Sequence, residues 1–197
     1  MGINNRYLPK IPDDGFLKYK LLKLLQQNFE ANSNKNVNLH MTIKLLAIGK
    51  TDNKELQSLI DDYQKRLGFY IKFEFDIIPD LKKVKHLSED QQKQKEGELI
   101  LGKISSTDVL ILLDENGKQM DSVGFSDYLQ KHMNSGIKQL VFVIGGPYGF
   151  SQDVYNKSQG KISLSKMTFS HQMIRLFIVE QLYRGFTILK NEPYHHR

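Results

Sequence analysis

Residues 140–151 read LVFVIGGPYGFS, and residues 163–196 read SLSKMTFSHQMIRLFIVEQLYRGFTILKNEPYHH. The first stretch is an apolar strand that runs into a glycine turn. The second is a short mixed segment, a long apolar helix and an aromatic-histidine tail. A buried strand ending in Gly145-Gly146-Pro147-Tyr148-Gly149 leaves bare backbone amides at its carboxyl end, where open α/β sheets bind ligands. The turn is not a nucleotide fingerprint. G-x-G-x-x-G is absent, no GxxxxGK[ST] occurs anywhere, and the turn lies late in the chain instead of in the first βα unit. Pro147 also lacks the amide that a phosphate nest would use.

Working outward, the same alternation of elements continues toward the N-terminus. Met41 to Gly49 is a strand of aliphatic residues. Asn53 to Leu67 is a helix, because Leu56, Leu59, Ile60, Tyr63 and Leu67 share one face, with Gly68 as its C-cap. Phe69 to Ile78 alternates Ile71, Phe73, Phe75 and Ile77 with Lys72, Glu74 and Asp76, which predicts a strand with one buried and one wet face. His86 to Ser106 reads as a surface helix opened by a Ser88/Gln91 capping box. Asp108 to Asp114 is a buried strand, followed by a turn at 115–118. Ser122 to Asn134 is a helix capped by Ser122, stopped by Gly136. Ser151 caps a short helix to Ser158, and His171 to Gly185 is a helix apolar nearly all round. Strands and helices joined by short connections predict an α/β domain with a mostly parallel sheet flanked by helices.

The first 40 residues stand apart. Leu21, Leu22, Leu24, Leu25 and Phe29 have helical spacing, and an Asn/Ser/Lys-rich stretch then leads to Met41. The expectation is an N-terminal extension over 1–40, poorly ordered or loosely helical, and a domain over 41–197 that starts functionally at Met41.

The chain of 197 residues has no cysteine, so disulfides, thiol nucleophiles and Cys-type zinc sites are excluded. No apolar run approaches the roughly 20 residues that span a bilayer, and no signal-peptide pattern opens the chain; the expected compartment is the cytoplasm. The net charge is +6. Half of that excess lies in residues 1–40, and residues 161–197 carry six basic groups against two acidic ones. Clustered positive charge suits an anionic partner such as nucleic acid.

Three further features bear on chemistry. Leu164-Ser165-Lys166-Met167-Thr168-Phe169 mixes small polar and apolar residues between two elements, as would suit a flat, partly apolar ligand read by backbone groups. The 171–185 helix, with Ile174, Leu176, Phe177, Ile178, Val179 and Leu182, needs cover on several sides, from the core or from a second subunit. His171, Arg175, Glu180, Arg184, Tyr194, His195 and His196 surround it. No G-x-S-x-G elbow accompanies the histidines, and adjacent His195-His196 at a terminus is poor evidence for a metal site, so no metal is expected.

Taken together, Leu112-Leu113-Asp114-Glu115-x-Gly117-Lys118, Phe142-Val143-Ile144-Gly145-Gly146-Pro147-x-Gly149, Leu164 through Phe169 with His171-Gln172-x-x-Arg175, and Glu180-Gln181-x-Tyr183-Arg184 followed by Tyr194-His195 closely resemble the ribosomal RNA large subunit methyltransferase H family of the SPOUT class. The resemblance covers about residues 41–197. It implies a C-terminal trefoil knot, S-adenosylmethionine as cofactor, a homodimer, and methylation of N3 of a pseudouridine in large-subunit (23S) ribosomal RNA on the assembled ribosome. Its cofactor contacts fall on Leu113, Gly145, Leu164, Ser165, Lys166, Met167, Thr168 and Phe169. Arg175, Tyr194 and His195 are the expected catalytic, substrate-side residues. The competing readings are a non-catalytic ribosome- or RNA-binding module that keeps the fold, and a methyltransferase acting on tRNA.

Overall fold

In a computed structural model, the structure describes residues 41–81 and 86–196. The expected extension over residues 1–40 lies outside them. The elements are β1 (Thr42–Ile48), α1 (Lys54–Leu67), β2 (Lys72–Ile78), α2 (Glu89–Leu101), β3 (Val109–Gln119), α3 (Ser122–Asn134), β4 (Gln139–Ile144), α4 (Gln152–Lys157), β5 (Gly160–Ser163) and α5 (His171–Leu189). The five strands form one sheet in the order β2-β1-β4-β3-β5, and every pairing is parallel.

Central strands covered on both faces must be apolar at nearly every position. Accordingly Leu45, Leu46 and Ala47 of β1, Leu110 and Leu112 of β3, and Leu140 through Val143 of β4 have no measurable exposure. One face of the sheet packs on α2 and α4: Leu46, Ile48, Leu112, Val141 and Val143 meet Ile100 and Val154 there. On the other, α5 packs between α1 and α3, with the Phe125 ring 6.2 Å from that of Phe142. The α/β architecture expected from the alternation of elements is therefore present.

Local departures have local reasons. The β2 strand starts at Lys72, not Phe69, because Phe69, Tyr70 and Ile71 complete turns onto Arg66 and Leu67 at the end of α1. As an edge strand, β2 leaves Phe73, Phe75 and Ile77 only half-buried. Gly68 does cap α1, but in right-handed conformation, its N–H donating to the carbonyl of Gln64. The Ser88/Gln91 capping box forms as expected. For α3 the cap is Asp121 instead of Ser122: Asp121 accepts from the Gly124 N–H at 2.7 Å, while the Ser122 hydroxyl donates to Gln181. Ser151 stands at the N-cap position of α4 without making the cap hydrogen bond.

Two features were not anticipated. Helix α5 continues past Gly185 to Leu189; Gly185 gives room for the Leu129 side chain instead of ending the helix. The short β5 strand pairs with the outer edge of β3, and both Leu113 and Lys118 register with Ile162. Residues 114–117 therefore leave the ladder as an excursion, which is the turn expected at 115–118 set inside a longer strand. Gly117 lies so close over β5 that a Cβ there would come within 2.4 Å of the Ile162 carbonyl carbon. The return of β5 beside β3, under this excursion, accords with the C-terminal trefoil knot.

Candidate functional site

The carboxyl ends of β3 and β4, the glycine turn and the segment leading into α5 enclose a cavity of about 400 Å³. That volume lies in the range of small-molecule and cofactor sites. Leu113, the last β3 residue before the excursion, and Ile144, the last of β4, pair side by side there. Past Ile144, the Gly149 N–H donates to the Gly146 carbonyl at 3.1 Å and closes the turn, with Gly149 in the left-handed region at φ 83°. Pro147 and Tyr148 project outward at the rim.

The opposite wall is residues 162–169. Its shape is set by two serines. The Ser163 hydroxyl donates to the Ser165 carbonyl at 2.7 Å, and the Ser165 hydroxyl accepts from the Met167 N–H at 2.9 Å. These local bonds hold an irregular backbone open toward the cavity instead of letting β5 continue. Behind the segment, the Phe169 ring leans on Phe177 of α5 at 4.9 Å between centroids. Of the residues expected to bind cofactor, Leu113, Gly145, Leu164, Ser165, Met167, Thr168 and Phe169 line the cavity; Lys166 is exposed and does not line it.

The charge of this lining is one-sided. Asp114 and Glu115 contribute carboxylates, and no lysine or arginine lines the cavity among the described residues. Asp114 is fixed: it accepts the Tyr155 hydroxyl at 2.6 Å and the Asn116 N–H at 2.8 Å. Desolvation and that carboxylate push the Tyr155 phenol well above its ordinary value, so it stays a donor. His171, which also lines the cavity, is held below the usual histidine value by desolvation and then by the charge of Arg175, opposed by a backbone interaction with Gly145. Desolvation and that charge both favour its neutral form.

The three residues expected on the substrate side lie outside the lining. Arg175 is 1% exposed, and its guanidinium donates to the Ile48 carbonyl at 2.8 Å and the Thr51 hydroxyl at 2.9 Å. Burial lowers its pKa, with Asp80 and Asp52 opposing. Together with Gln172, whose side-chain oxygen accepts from the Asp52 and Asn53 N–H groups, it ties the first turns of α5 to the end of β1. The Tyr194 hydroxyl lies 3.0 Å from that of Tyr63 and donates to Glu180 at 3.1 Å. Glu180 is about 7.5 Å beyond Arg175 along α5 at the usual helical rise. Arg184 bonds Glu180 through its Nε at 3.0 Å and stands 4.7 Å over the Tyr194 ring. His195 is next in the chain, with its Nδ1 buried and without a hydrogen-bond partner among the described residues. Arg175 and Tyr194 thus serve two different parts of α5.

What residue-by-residue reading missed is the floor. Glu96, on α2, is 2% exposed and lies directly behind Gly146. A lone glutamate in a lysine- and glutamate-rich helix carries no sequence signal that it will be buried. On the other side of the 162–169 segment is a second cavity of about 420 Å³, bordered by Met120, Phe125, Leu164, Phe169, Phe177 and Gln181. Among the described residues no helix is long and apolar enough to cross a membrane.

Comparison with known proteins gives these features a family. The family model described as "Predicted SPOUT methyltransferase" matches residues 41–195. A protein of Flavobacterium johnsoniae named ribosomal RNA large subunit methyltransferase H is 76% identical over 157 residues, 80% of this chain and 100% of its own length. A protein of the same name from Flavobacterium psychrophilum is 78% identical over the same shares, and one from Parabacteroides distasonis is 60% identical over 79% of this chain and 99% of its own. The chain belongs to the ribosomal RNA large subunit methyltransferase H family, within the SPOUT methyltransferases.

Proposed function

We propose that this chain is an S-adenosylmethionine-dependent enzyme, acting as a cytoplasmic homodimer, that methylates N3 of a pseudouridine in large-subunit ribosomal RNA on the assembled ribosome. The observation that carries the cofactor assignment is the cavity at the ends of β3 and β4: backbone and apolar walls, two carboxylates, and no lysine or arginine among its described lining residues. A phosphate-bearing nucleotide would meet no cation there, whereas a cationic ligand with a flat ring fits the lining. When bound, S-adenosylmethionine would supply a methyl group on a positively charged sulfur, ready for in-line displacement.

The chain's own residues then have separable tasks. Leu113, Ile144, Leu164, Met167 and Phe169 supply apolar walls, and the backbone at Gly145 and the 164–168 segment supplies polar groups for a ring edge. Binding in a fixed orientation is itself worth several kcal/mol in such a displacement. A neutral imide nitrogen is a poor nucleophile, so its proton must be taken. His171 and His195 are the candidate bases; His171 lines the cavity, and desolvation favours its neutral form. Arg175 braces the first turns of α5, and with them His171, against β1. We assign Arg175, Tyr194 and His195 to the substrate side.

The dimer reading is supported by α5, where Met173, Leu176 and Phe177 are only half-buried and Phe177 borders the second cavity. The RNA reading is supported by the names of the relatives and by the basic balance of residues 161–197. Binding to rRNA is expected to fall steeply with added salt.

Titration calorimetry with S-adenosylmethionine tests the first part. The unmodified chain is expected to bind it, and Gly145→Trp to lose binding while keeping its circular-dichroism spectrum. Gly145 lines the cavity, and Phe150 and the Gly149 carbonyl already stand 3.0 and 3.3 Å from where a Cβ would sit, so an indole there is expected to crowd the cavity. No heat from the folded unmodified chain would leave the non-catalytic binding module standing instead. Mass spectrometry of rRNA and tRNA from a strain lacking the gene tests the second part. An unchanged large-subunit pseudouridine, with a methyl missing from tRNA, would move the substrate to tRNA.

A further inference from the structure

The floor of the cavity contains a charge that no cavity-lining residue reveals. Glu96 of α2 is 2% exposed. Its Oε1 accepts from Gln92 at 2.8 Å, but its Oε2 is buried without a hydrogen-bond partner among the described residues. Such a group is expensive to keep, so its presence calls for a reason. What it faces is the glycine turn. A Cβ on Gly146 would fall 2.0 Å from Oε2 and 2.7 Å from the carboxyl carbon. Gly146 lines the cavity, so the carboxylate is one residue's thickness from it, and only glycine allows that approach. The next residue repeats the pattern. A Cβ on Gly97 would fall 2.2 Å from the Ser151 hydroxyl oxygen, which is also buried and unpartnered among the described residues. Helix α2 therefore presents a Glu-Gly step to both ends of the turn.

We propose that Glu96 is a buried countercharge, acting through Gly146 and jointly with Asp114 and Glu115, that makes the cavity select the cationic methyl donor over its uncharged thioether product. The inference rests on the assignment of S-adenosylmethionine to this cavity. S-adenosylmethionine and S-adenosylhomocysteine share every group except the methyl and the charge on sulfur. A carboxylate behind the backbone, in a poorly polarisable surround, distinguishes the two by charge while touching neither. The consequence is directional: methyl transfer cancels the charge that the floor stabilises, so product leaves more readily than substrate. Desolvation raises the Glu96 pKa, with the Gln92 hydrogen bond opposing and the neighbouring Asp80 adding to the rise, as expected of a buried carboxylate. Glu96 is a positioning residue in this scheme, since it faces the cavity only through the Gly146 backbone and is not one of its lining residues.

The test is calorimetric affinity for both compounds at pH 8, well above the ordinary carboxyl range. Glu96→Gln keeps the shape and removes the charge. It is expected to weaken S-adenosylmethionine about tenfold while S-adenosylhomocysteine stays within about twofold of the unmodified chain. Glu96→Asp, which keeps the charge, is expected to retain most of the preference. Equal weakening of both compounds in Glu96→Gln, or no change in either, would overturn the proposal and leave Glu96 a purely structural group. The unmodified chain offers a check that does not depend on any variant folding: S-adenosylhomocysteine binding as tightly as S-adenosylmethionine overturns the proposal directly. If the unmodified chain binds neither compound, the cofactor assignment itself fails, and the inference falls with it.

Discussion

The floor behind the glycine turn and the clamp that Tyr194 makes on α1 and α5 treat polar groups in opposite ways. His195, next in the tail, has its own unpartnered buried Nδ1 among the described residues and stands outside that clamp. In the clamp, Tyr194 meets Tyr63 and Glu180, Glu180 is paired with Arg184, Arg184 covers the Tyr194 ring, and the Tyr70 hydroxyl reaches Glu192. Tyr183 adds edge contacts to the rings of Tyr70 and Tyr194. In the floor, Glu96 Oε2 and Ser151 Oγ are buried and unpartnered among the described residues, and irregular backbone replaces side-chain pairing. A satisfied network stabilises the chain as it stands. Unsatisfied groups beside a cavity are tolerated where a ligand completes them. On this view the clamp contributes stability, and the floor gives some up for binding.

The contrast can be broken most severely at the edge of the floor. Gly117→Ala would push a methyl group into the backbone of Ile162 and Ser163, where neither partner is a flexible side chain. A loss of about 3 kcal/mol or more in urea unfolding is expected, with loss of cofactor binding. An effect below about 1 kcal/mol would mean that the β3 excursion and β5 are not locked together.

Tyr194→Phe removes the hydroxyl shared by Tyr63 and Glu180. About 1 kcal/mol of stability is expected to go, with S-adenosylmethionine affinity unchanged because Tyr194 does not line the cavity. If the tail acts on the substrate side, turnover also falls; full turnover with reduced stability would confine Tyr194 to the clamp.

The smallest effect is the most diagnostic of the floor. The Glu96 carboxyl titrates near 4.5 when unfolded and higher when folded. Between those two values the folded chain keeps a proton that the unfolded chain has lost, so stability declines as pH rises through that window. Glutamine has no such decline. The melting temperature of Glu96→Gln relative to the unmodified chain should therefore rise from pH 4.5 upward and then level off. A constant offset at every pH would show that Glu96 is not strained by its charge.

Much of this was legible in residue patterns. Strands at 42–48 and 139–144, the amphipathic α1 and the α/β order follow from periodicity and from glycine and proline punctuation. The cavity's components were legible too, since Leu113, Gly145 and the 164–169 segment each carried a local sign of exposed backbone beside apolar packing. The caps were misjudged where two polar neighbours competed, as with Asp121 and Ser122, because only the hydrogen-bond partner decides between them. Four-residue β5 was missed because GKIS is too short to show a period, and its strand character comes from β3.

By itself the sequence determined the strands and helices other than β5, that they make a mostly parallel α/β sheet, and which family the chain resembles, because these rest on local spacing and on motifs contiguous along the chain. Only the tertiary structure decided that Glu96, in a helix that reads as surface, becomes the floor of the site; that Arg175 is spent on the end of β1; and that Tyr194 is clamped to α1. Each of these is a contact between residues distant in the chain, set by how α2, α5 and the sheet ends meet. Residue type and spacing carry no record of such meetings.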